Sequence, residues 1–311
     1  MEKILITGCS GFVAHHFWLY LLDNKVNFEV YGMDLKAPEY ETQGKNLPFF
    51  FYECNMLNPK SVKNVIAEVR PDYILHLASF SSVAYSWSNP IECFQNNTII
   101  FLNLIESVRD YCVKSRILSI GSSEEYGIVS KECIPLKEDN ALNPINPYAV
   151  ARVSQEMLGK IFCTNYGLDI IFTRSFNHLG KYQDTRFAIP QFVSKLKLCK
   201  EGKCILDVGN VEVIRDYIDV RDVVEAYYKL LKLGKTGEIY NVCSGNGYSL
   251  RQIIDMIAYS LDIEVELRVD YAKVRPADNP IIIGSYQKIQ NSTGWFPKYS
   301  ICDSIKNILQ D

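Results

Sequence analysis

The sequence predicts an α/β fold, with a doubly wound parallel sheet and a smaller lobe of mixed α/β structure. In the first half of the chain, short apolar runs alternate with amphipathic stretches, from Ile4-Leu5-Ile6 to Asp169-Ile170-Ile171-Phe172-Thr173. Strands this apolar, each followed by a helical stretch, are typical of a parallel sheet covered on both faces. After about residue 175 the rhythm becomes less regular, which indicates the second lobe.

Six apolar runs predict the strands, and four amphipathic stretches predict the helices. The strands are predicted at residues 4–6, 28–31, 49–52, 73–77, 116–120 and 169–173. The helices are predicted at residues 11–24, 59–69, 90–113 and 147–166. Two of them begin at Asn-Pro pairs, Asn89-Pro90 and Asn146-Pro147, and proline is favoured in the first turn of a helix.

The chain is expected to divide into two domains. The first comprises residues 1–175 plus about 209–242, and the smaller lobe comprises residues 176–208 plus about 243–311. Residues 219–233 and 239–242 are expected to return to the first domain. Because ligands of open parallel sheets bind beyond the carboxyl ends of the strands, the site is expected in the crevice between the lobes.

Composition excludes several classes of partner. A chain of 311 residues with 48% hydrophobic content can bury a full core, and a net charge of -3 offers no basic surface for nucleic acid or an anionic membrane. No apolar run reaches the roughly 18 residues that span a bilayer, and no signal peptide is recognisable, so a cytoplasmic protein is expected. The ten cysteines form no close CxxC pair and the four histidines lack zinc spacing, so neither a metal site nor a disulfide is predicted.

The first turn of the chain has the pattern of a dinucleotide-binding site. Gly8, Gly11 and Ala14 give the spacing G-x-x-G-x-x-A between the first strand and the first helix. Glycines there allow the backbone to approach a pyrophosphate, and the helix N-terminus adds partial positive charge. A small third residue lets the helix pack closely on the strand, as in a Rossmann domain.

Asp34, at the end of the second predicted strand, indicates which dinucleotide is bound. A carboxylate about 20 residues after the glycines can accept hydrogen bonds from both ribose hydroxyls, and it repels a 2′-phosphate. NAD(H) is therefore expected, with NADP(H) less favoured, although Lys36 could neutralise a phosphate. Asn55 follows the third strand and is interpreted either as an adenine contact or as a loop cap.

Further motifs resemble the extended short-chain dehydrogenase/reductase family over essentially the whole chain. They are Thr7-Gly8-x-x-Gly11-Phe12-x-Ala14, His76-Leu77-Ala78, Asn97, Ser122 four residues before Tyr126-Gly127, and Tyr148-x-x-x-Arg152. Besides the residues already named, the resemblance implies cofactor contacts from Phe12, Val13, Leu77, Ala78, Asn97, Tyr148 and Arg152.

The same resemblance assigns catalytic roles to three residues. Tyr148 is implied to exchange a proton with the substrate oxygen, and Ser122 to hydrogen-bond that oxygen. A phenol with a pKa of about 10 needs a nearby cation and a positioned donor to work at neutral pH. Arg152 stands where the family carries the lysine that is implied to hold the nicotinamide ribose. The arginine could be a working substitute, the cause of a slower enzyme, or the mark of a binding protein derived from an enzyme.

A closer resemblance points to the branch that contains GDP-mannose 4,6-dehydratases and GDP-4-keto-6-deoxy-mannose reductases. It lies in residues 122–127, 174–180, 209–216, 241–245 and 292–295. The implied substrate is a nucleotide-diphosphate sugar, with GDP as the expected nucleotide. Its expected contacts are Ser123, Asn177 for a pyrophosphate oxygen, Arg215 and Arg275 for the phosphates, and Asp278 for the nucleotide ribose.

Overall similarity favours a reductase that acts at the sugar C4, but other reactions remain open. Glu124 stands where the dehydratases carry the base that removes the C5 proton, and Asp34 favours an enzyme that recycles bound NAD. A 4,6-dehydratase, an epimerase or C4 dehydrogenase, and a non-catalytic binder are the alternatives. The helices predicted from Pro90 and Pro147 resemble the pair that forms a four-helix dimer interface in this family, which implies a homodimer.

Overall fold

A computed structural model describes residues 1–44, 47–199, 203–274 and 278–310. In chain order, the strands are β1 (Glu2–Thr7), β2 (Phe28–Asp34), β3 (Phe49–Glu53), β4 (Tyr73–His76), β5 (Arg116–Ser122), β6 (Asp169–Ser175), β7 (Asn177–Leu179), β8 (Lys203–Val208), β9 (Ile214–Asp219), β10 (Ile239–Val242), β11 (Gly247–Ser249), β12 (Glu264–Val269) and β13 (Ile281–Ile282).

The helices are α1 (Phe12–Asp23), α2 (Pro59–Val69), α3 (Val83–Ser88), α4 (Pro90–Phe94), α5 (Ile100–Tyr111), α6 (Pro147–Tyr166), α7 (Ala188–Lys197), α8 (Val220–Leu233), α9 (Leu250–Leu261), α10 (Gln287–Thr293) and α11 (Ile301–Leu309). The predicted helix at residues 90–113 is thus interrupted, because a π-helical turn at Gln95–Ile99 joins α4 to α5. The short helix α3 was not predicted from the sequence.

The main sheet has seven parallel strands in the order β10-β6-β5-β4-β1-β2-β3. The chain runs from β1 outward to β3 and then returns to continue from β4 on the other side of β1. This reversal leaves a crevice at the carboxyl ends of β1 and β4, where doubly wound sheets bind their ligands. The predicted doubly wound parallel sheet is confirmed.

Helices cover the main sheet on both faces. On one face, α1 and α8 bury side chains such as Phe17, Trp18 and Leu230 against Ile4 and Ile6 of β1. On the other face, α2, α5 and α6 bury a second cluster against Leu5 of the same strand. The alternation of buried side chains along β1 between the two clusters explains why the predicted strands are apolar on both faces.

A second group of elements lies beyond the carboxyl ends of the main sheet. There β9 pairs with β7, β11 and β13, and β8 pairs with β12 in a two-stranded sheet. The helices α7, α9 and α11 pack with these strands around a third apolar cluster. Although residues 209–242 were predicted to belong to the first domain, β9 forms part of the small sheet, whereas α8 and β10 join the main one.

The prediction that the cysteines form no disulfide is wrong for one pair. Cys199 and Cys204 are disulfide-bonded, with their α-carbons 6.1 Å apart. Cys199 follows α7 and Cys204 is the second residue of β8, so the two are five residues apart and the CxxC spacing does not mark them. Among the described residues, no helix is both long and apolar enough to cross a membrane.

Candidate active site

The carboxyl ends of the main sheet and the small sheet enclose a cleft of about 1440 Å³. This volume exceeds the roughly 300–1,000 Å³ of a typical small-molecule pocket. The predicted site residues that line it are Gly8, Gly11, Phe12, Val13, Asp34, Asn55, Leu77, Ala78, Ser122, Ser123, Glu124, Tyr148, Arg152, Asn177, Arg215 and Asp278. Of the other two, Asn97 is buried behind the wall of the cleft, and Arg275 lies outside the described residues.

The turn from β1 to α1 provides the close approach that the glycine pattern predicts. Gly8 has a φ of +71°, and a β-carbon there would lie 2.7 Å from the Ala78 backbone nitrogen. Gly11 precedes α1, and no side chain of the described residues caps the first turn of that helix. Its backbone N–H groups are therefore available to an anionic group, so the turn fits a dinucleotide pyrophosphate.

Asp34 is held in place by three hydrogen bonds at the end of β2. Its Oδ2 accepts from the Ser10 backbone nitrogen at 2.9 Å and from the Ser10 hydroxyl at 2.7 Å, while Oδ1 accepts from the Leu35 nitrogen at 2.7 Å. Lys36 instead donates to Glu39 at 2.8 Å on the exposed surface. Both Asp34 and Lys36 line the cleft, and the lysine charge is already paired with a carboxylate.

Asn55 and Asn97 both hold loops at the edge of the cleft. The Asn55 side chain accepts a hydrogen bond from the Leu57 nitrogen at 3.0 Å, as a loop cap does. Asn97 lies in the π-helical turn, accepts from the Phe80 nitrogen at 2.8 Å and donates to the Phe80 carbonyl at 3.0 Å. Since Phe80 lines the cleft, any effect of Asn97 on a bound dinucleotide acts through the Phe80 loop.

Ser122 and Glu124 lie at the carboxyl end of β5, where the strand turns into a short 3-10 helix. The Ser122 hydroxyl accepts from the Glu124 nitrogen at 3.2 Å, and the Ser122 nitrogen donates to Glu125 Oε1 at 2.7 Å. Asn146 caps α6 through the Ala149 nitrogen at 2.8 Å, and its amide donates to Glu124 Oε2 at 3.0 Å. The cap of α6 therefore also fixes the Glu124 carboxylate.

Tyr148 and Arg152 lie one turn apart on α6, and both are buried at the wall of the cleft. The guanidinium carbon of Arg152 is 5.2 Å from the centre of the Tyr148 ring. Arg152 donates to the Ile120 carbonyl at 2.8 Å, to Gln155 Oε1 at 2.9 Å and to the Ser79 hydroxyl at 2.6 Å. The cation thus lies beside the Tyr148 ring at the wall of the cleft.

A buried charged cluster supports this wall from behind. Burial, with a further contribution from Glu156, raises the pKa of Glu125 to about 8. Arg174 donates to both carboxylate oxygens of Glu156, each at 3.0 Å. Glu125 accepts a hydrogen bond from the Ser122 backbone nitrogen, and this bond fixes the start of the 3-10 helix. Arg174, which is already paired with Glu156, lies beside Glu125.

On the opposite side of the cleft, two of the predicted substrate residues contact each other. Arg215 of β9 pairs with the Asp278 carboxylate and donates to the Asn279 carbonyl at 2.7 Å. Ser123 follows β5, and Asn177 begins β7, which pairs with β9; both line the same cleft. The structure therefore brings predicted cofactor and substrate residues to one cavity, with Tyr148 on the wall they share.

Several residues at this site were not predicted from the sequence. His15 of α1 stacks between Tyr40 and Tyr182, at ring distances of 4.3 Å and 4.6 Å. Tyr227 of α8 lines the cleft and hydrogen-bonds the Ser175 hydroxyl at 2.8 Å. No local motif marks these positions, because their contacts join segments far apart in the sequence. For Gln155, the one available signal was its position three residues after Arg152 on the same helix.

Comparison with known proteins gives one consistent family. The model of the family described as GDP-mannose 4,6-dehydratase matches residues 5–308. The chain is 31% identical to GDP-6-deoxy-D-mannose reductase of Pseudomonas aeruginosa, over 100% of this chain and 97% of the relative. It is 32% identical to GDP-6-deoxy-D-talose 4-dehydrogenase of Aggregatibacter actinomycetemcomitans, over 99% of this chain and 96% of that protein.

A solved structure shares the whole fold. The structure of RMD from Pseudomonas aeruginosa complexed with NADPH matches with a TM-score of 0.84 and 30% identity, covering 99% of this chain and 98% of the other. The resemblance predicted from the nucleotide-binding turn and the Tyr148 motif is thereby confirmed. The chain belongs to the GDP-mannose 4,6-dehydratase family.

Proposed function

We propose that this chain is a nicotinamide-dependent enzyme that reduces the 4-keto group of a GDP-linked 6-deoxy sugar. The observation that carries the proposal is the position of Ser122, Tyr148 and Arg152 on one wall of the cleft that also contains the Gly8 turn. A reductase needs a hydride source and one proton donor beside the reacting oxygen, and this wall offers both places. The similarity to a GDP-6-deoxy-D-mannose reductase supports the choice of substrate.

In the proposed reaction, Tyr148, Ser122 and Arg152 have different roles. A bound dinucleotide supplies the hydride, and Tyr148 donates a proton to the C4 oxygen. Ser122 donates a hydrogen bond to the same oxygen, since a hydroxyl that accepts from the Glu124 amide can still donate its own hydrogen. Arg152 lies beside the Tyr148 ring and is proposed to hold the nicotinamide ribose.

The cofactor proposed is NAD(H), with NADP(H) less favoured. The pyrophosphate would lie on Gly8, Gly11, Phe12 and Val13, and the adenosine ribose on Asp34. The remaining proposed contacts are Asn55, Leu77, Ala78, Asn97, Tyr148 and Arg152. The RMD structure contains NADPH, so Asp34 is the residue on which the proposed preference for NAD(H) depends.

The nucleotide-sugar would occupy the side of the cleft formed by the small sheet. Arg215 is proposed to hold a phosphate, with Arg275 as its second cation, and Asp278 to bind the nucleotide ribose. Because Arg215 contacts Asp278 directly, a phosphate on the arginine and a ribose on the carboxylate would lie side by side. Asn177 and Ser123 complete the proposed contacts. In this proposal, residues 176–208 plus about 243–311 form the substrate lobe and residues 1–175 plus about 209–242 form the cofactor domain, except that β9 lies in the small sheet on the substrate side.

A 4,6-dehydratase is the second candidate. Glu124 lines the cleft two residues after Ser122, and the Asn146 amide holds its carboxylate. A carboxylate fixed in this way could remove the C5 proton while the sugar is in its 4-keto form. A reductase has no use for such a base, so the products distinguish the two reactions.

One experiment tests both. The purified chain is incubated with GDP-mannose or with GDP-4-keto-6-deoxy-mannose, with and without NADH or NADPH, and products are read by mass. We expect a gain of two hydrogens on the keto sugar, and Tyr148→Phe should abolish it while NADH still binds. A loss of one water from GDP-mannose identifies the dehydratase. No change with either sugar overturns the proposal of an enzyme.

We also propose that two chains associate through α4, α5 and α6. Apolar side chains are exposed along α4, α6 and the π-helical turn, at Ile91, Phe94, Ile99, Val150, Met157 and Ile161. Pro90, Ile91, Phe94 and Val150 also line an apolar groove of about 690 Å³. Two helical segments from each chain would make a four-helix interface, because such a surface is best covered by a matching apolar face.

A further inference from the structure

Arg152 is a buried cation whose direct partners are all neutral. It donates to a carbonyl, an amide oxygen and a hydroxyl, and the part of the chain that the structure describes gives it no ion pair. Its Nε is also buried without a hydrogen bond to a described residue. A buried cation that lacks a counter-ion is held in place by the geometry of its neutral acceptors.

Among the three acceptors of Arg152, the Gln155 amide is held in one orientation by its own hydrogen bonds. Its Nε2 donates to the Ser119 hydroxyl at 2.8 Å and to the Ile120 carbonyl at 3.2 Å, and its side chain is buried. A carbonyl can only accept, so Ile120 determines which end of the amide faces β5. The other end, Oε1, must then face Arg152, which it accepts at 2.9 Å.

We propose that Gln155 is a positioning residue that fits the active site to an arginine at position 152. The amide links β5 to α6 and turns the guanidinium toward the Tyr148 ring and the cleft. A lysine ammonium is compact and lacks the planar fork, so it would not meet Gln155, Ile120 and Ser79 together. The proposal rests on the proposed function of Arg152 as a contact of the nicotinamide dinucleotide.

The test is a double-mutant cycle with Gln155→Met and Arg152→Met, read first by the dissociation constant for NADH. Gln155→Met keeps the length of the side chain and removes both ends of the amide. Because hydrogen bonds to charged groups are strong, it should weaken NADH binding about tenfold or more in the otherwise unchanged protein. With methionine at position 152, the same change should alter binding less than about twofold, because Gln155 then has no cation to orient.

Kinetic measurements distinguish a positioning role of Gln155 from a role in the stability of the fold alone. Where the keto sugar is reduced, Gln155→Met should lower kcat and shift its pH profile, while KM for the sugar stays within about twofold. Ser154→Ala, on the exposed side of the same helix, is the matched control and should change neither. If Gln155→Met fails to fold, Gln155→Asn, which shortens the reach of the amide, replaces it in the cycle.

The outcomes are distinct from those that test the reaction. The NADH cycle gives its answer even if no sugar is converted, so failure of the proposed function leaves the proposal about Gln155 testable. Equal losses of affinity in both backgrounds would mean that Gln155 acts independently of Arg152 and would overturn the proposal. Unchanged NADH binding and unchanged kcat in a folded Gln155→Met variant would do the same.

Discussion

At the scale of single residues, the carboxylate of Asp34 is expected to set the choice between the two nicotinamide dinucleotides. A phosphate charge about 5 Å from it would be repelled by roughly 3 kcal/mol at an effective dielectric of 20. Asp34→Asn should therefore tighten NADPH binding at least about tenfold, and it should weaken NADH binding by up to about tenfold through the lost charged hydrogen bonds. Fluorescence titration of both reduced cofactors measures the two dissociation constants.

Lys36 provides the control for this prediction. Its ammonium pairs with Glu39 on the exposed surface, so Lys36→Ala should change either affinity by less than about threefold. An unmodified protein that binds NADPH more tightly than NADH would contradict the role given to Asp34. A large loss of NADPH binding in Lys36→Ala would instead place the deciding charge on the lysine.

The site residues that could be predicted from the sequence are those that stand in short motifs. Gly8, Asp34, Ser122 and Tyr148 stand in short motifs tied to strand ends or helix starts, and the fold brings them to one cleft. Gln155 stands in no such motif, and its role depends on reaching a strand that lies more than 30 residues earlier. A side chain that acts by long-range packing cannot be assigned from spacing along the chain.

At the scale of an element, Asn146 links the stability of α6 to the position of Glu124. Asn146→Ala removes the helix cap, which should cost about 1 kcal/mol at all pH values. Asn146→Asp keeps the cap but places a second carboxylate opposite Glu124. The shared site then has a raised pKa in the folded state, so the folded protein binds more protons and its stability falls as pH rises.

Thermal unfolding of both variants between pH 5 and pH 8.5 checks this prediction. The matched control is Asn58, which also precedes a proline and caps α2 through the Lys60 and Ser61 nitrogens. Asn58→Ala should show a similar loss to Asn146→Ala, whereas Asn58→Asp should be nearly neutral across the range. A flat pH profile for Asn146→Asp would mean that Glu124 does not face residue 146 in solution.

Element starts were easier to predict than element interiors. Asn89-Pro90 and Asn146-Pro147 mark the starts of α4 and α6 where the sequence places them, because proline in a first turn is a local signal. The π-helical turn at Gln95–Ile99 interrupts the predicted helix without proline or glycine. The buried Asn97 in this turn holds the Phe80 loop through two hydrogen bonds. The spacing of apolar residues does not reveal such a contact between distant segments, so the interruption was not predicted.

At the scale of the whole molecule, the sequence predicted the layers but not the division of strands between sheets. The apolar strands and the helices between them were sufficient for the seven-stranded sheet, because each strand needs cover on both faces. Residues of about 209–242 were assigned to the first domain as one block, whereas β9 within that block pairs with β7, β11 and β13. Pairing partners depend on connections between distant segments, and the pattern within one strand does not encode them.

At this scale, the exposed apolar faces of α4 and α6 predict that two chains associate. Ile91 is 75% exposed and lines the apolar groove with Phe94 and Val150. If a second chain covers it, Ile91→Glu would bury a charge at a cost of about 3 kcal/mol or more, which raises the dimer dissociation constant at least about hundredfold. Light scattering at micromolar concentration should then show a dimer for the unmodified chain and a monomer for Ile91→Glu.

Tyr259 allows the effect of location to be separated from the effect of added charge. Its side chain is 89% exposed on α9, far along the chain from the proposed interface, so Tyr259→Glu adds the same charge at a different surface. This variant should remain dimeric and keep its unfolding temperature. A dimer that persists in Ile91→Glu but dissociates in Tyr259→Glu would place the interface at α9. An unmodified chain that is monomeric would contradict the proposed dimer.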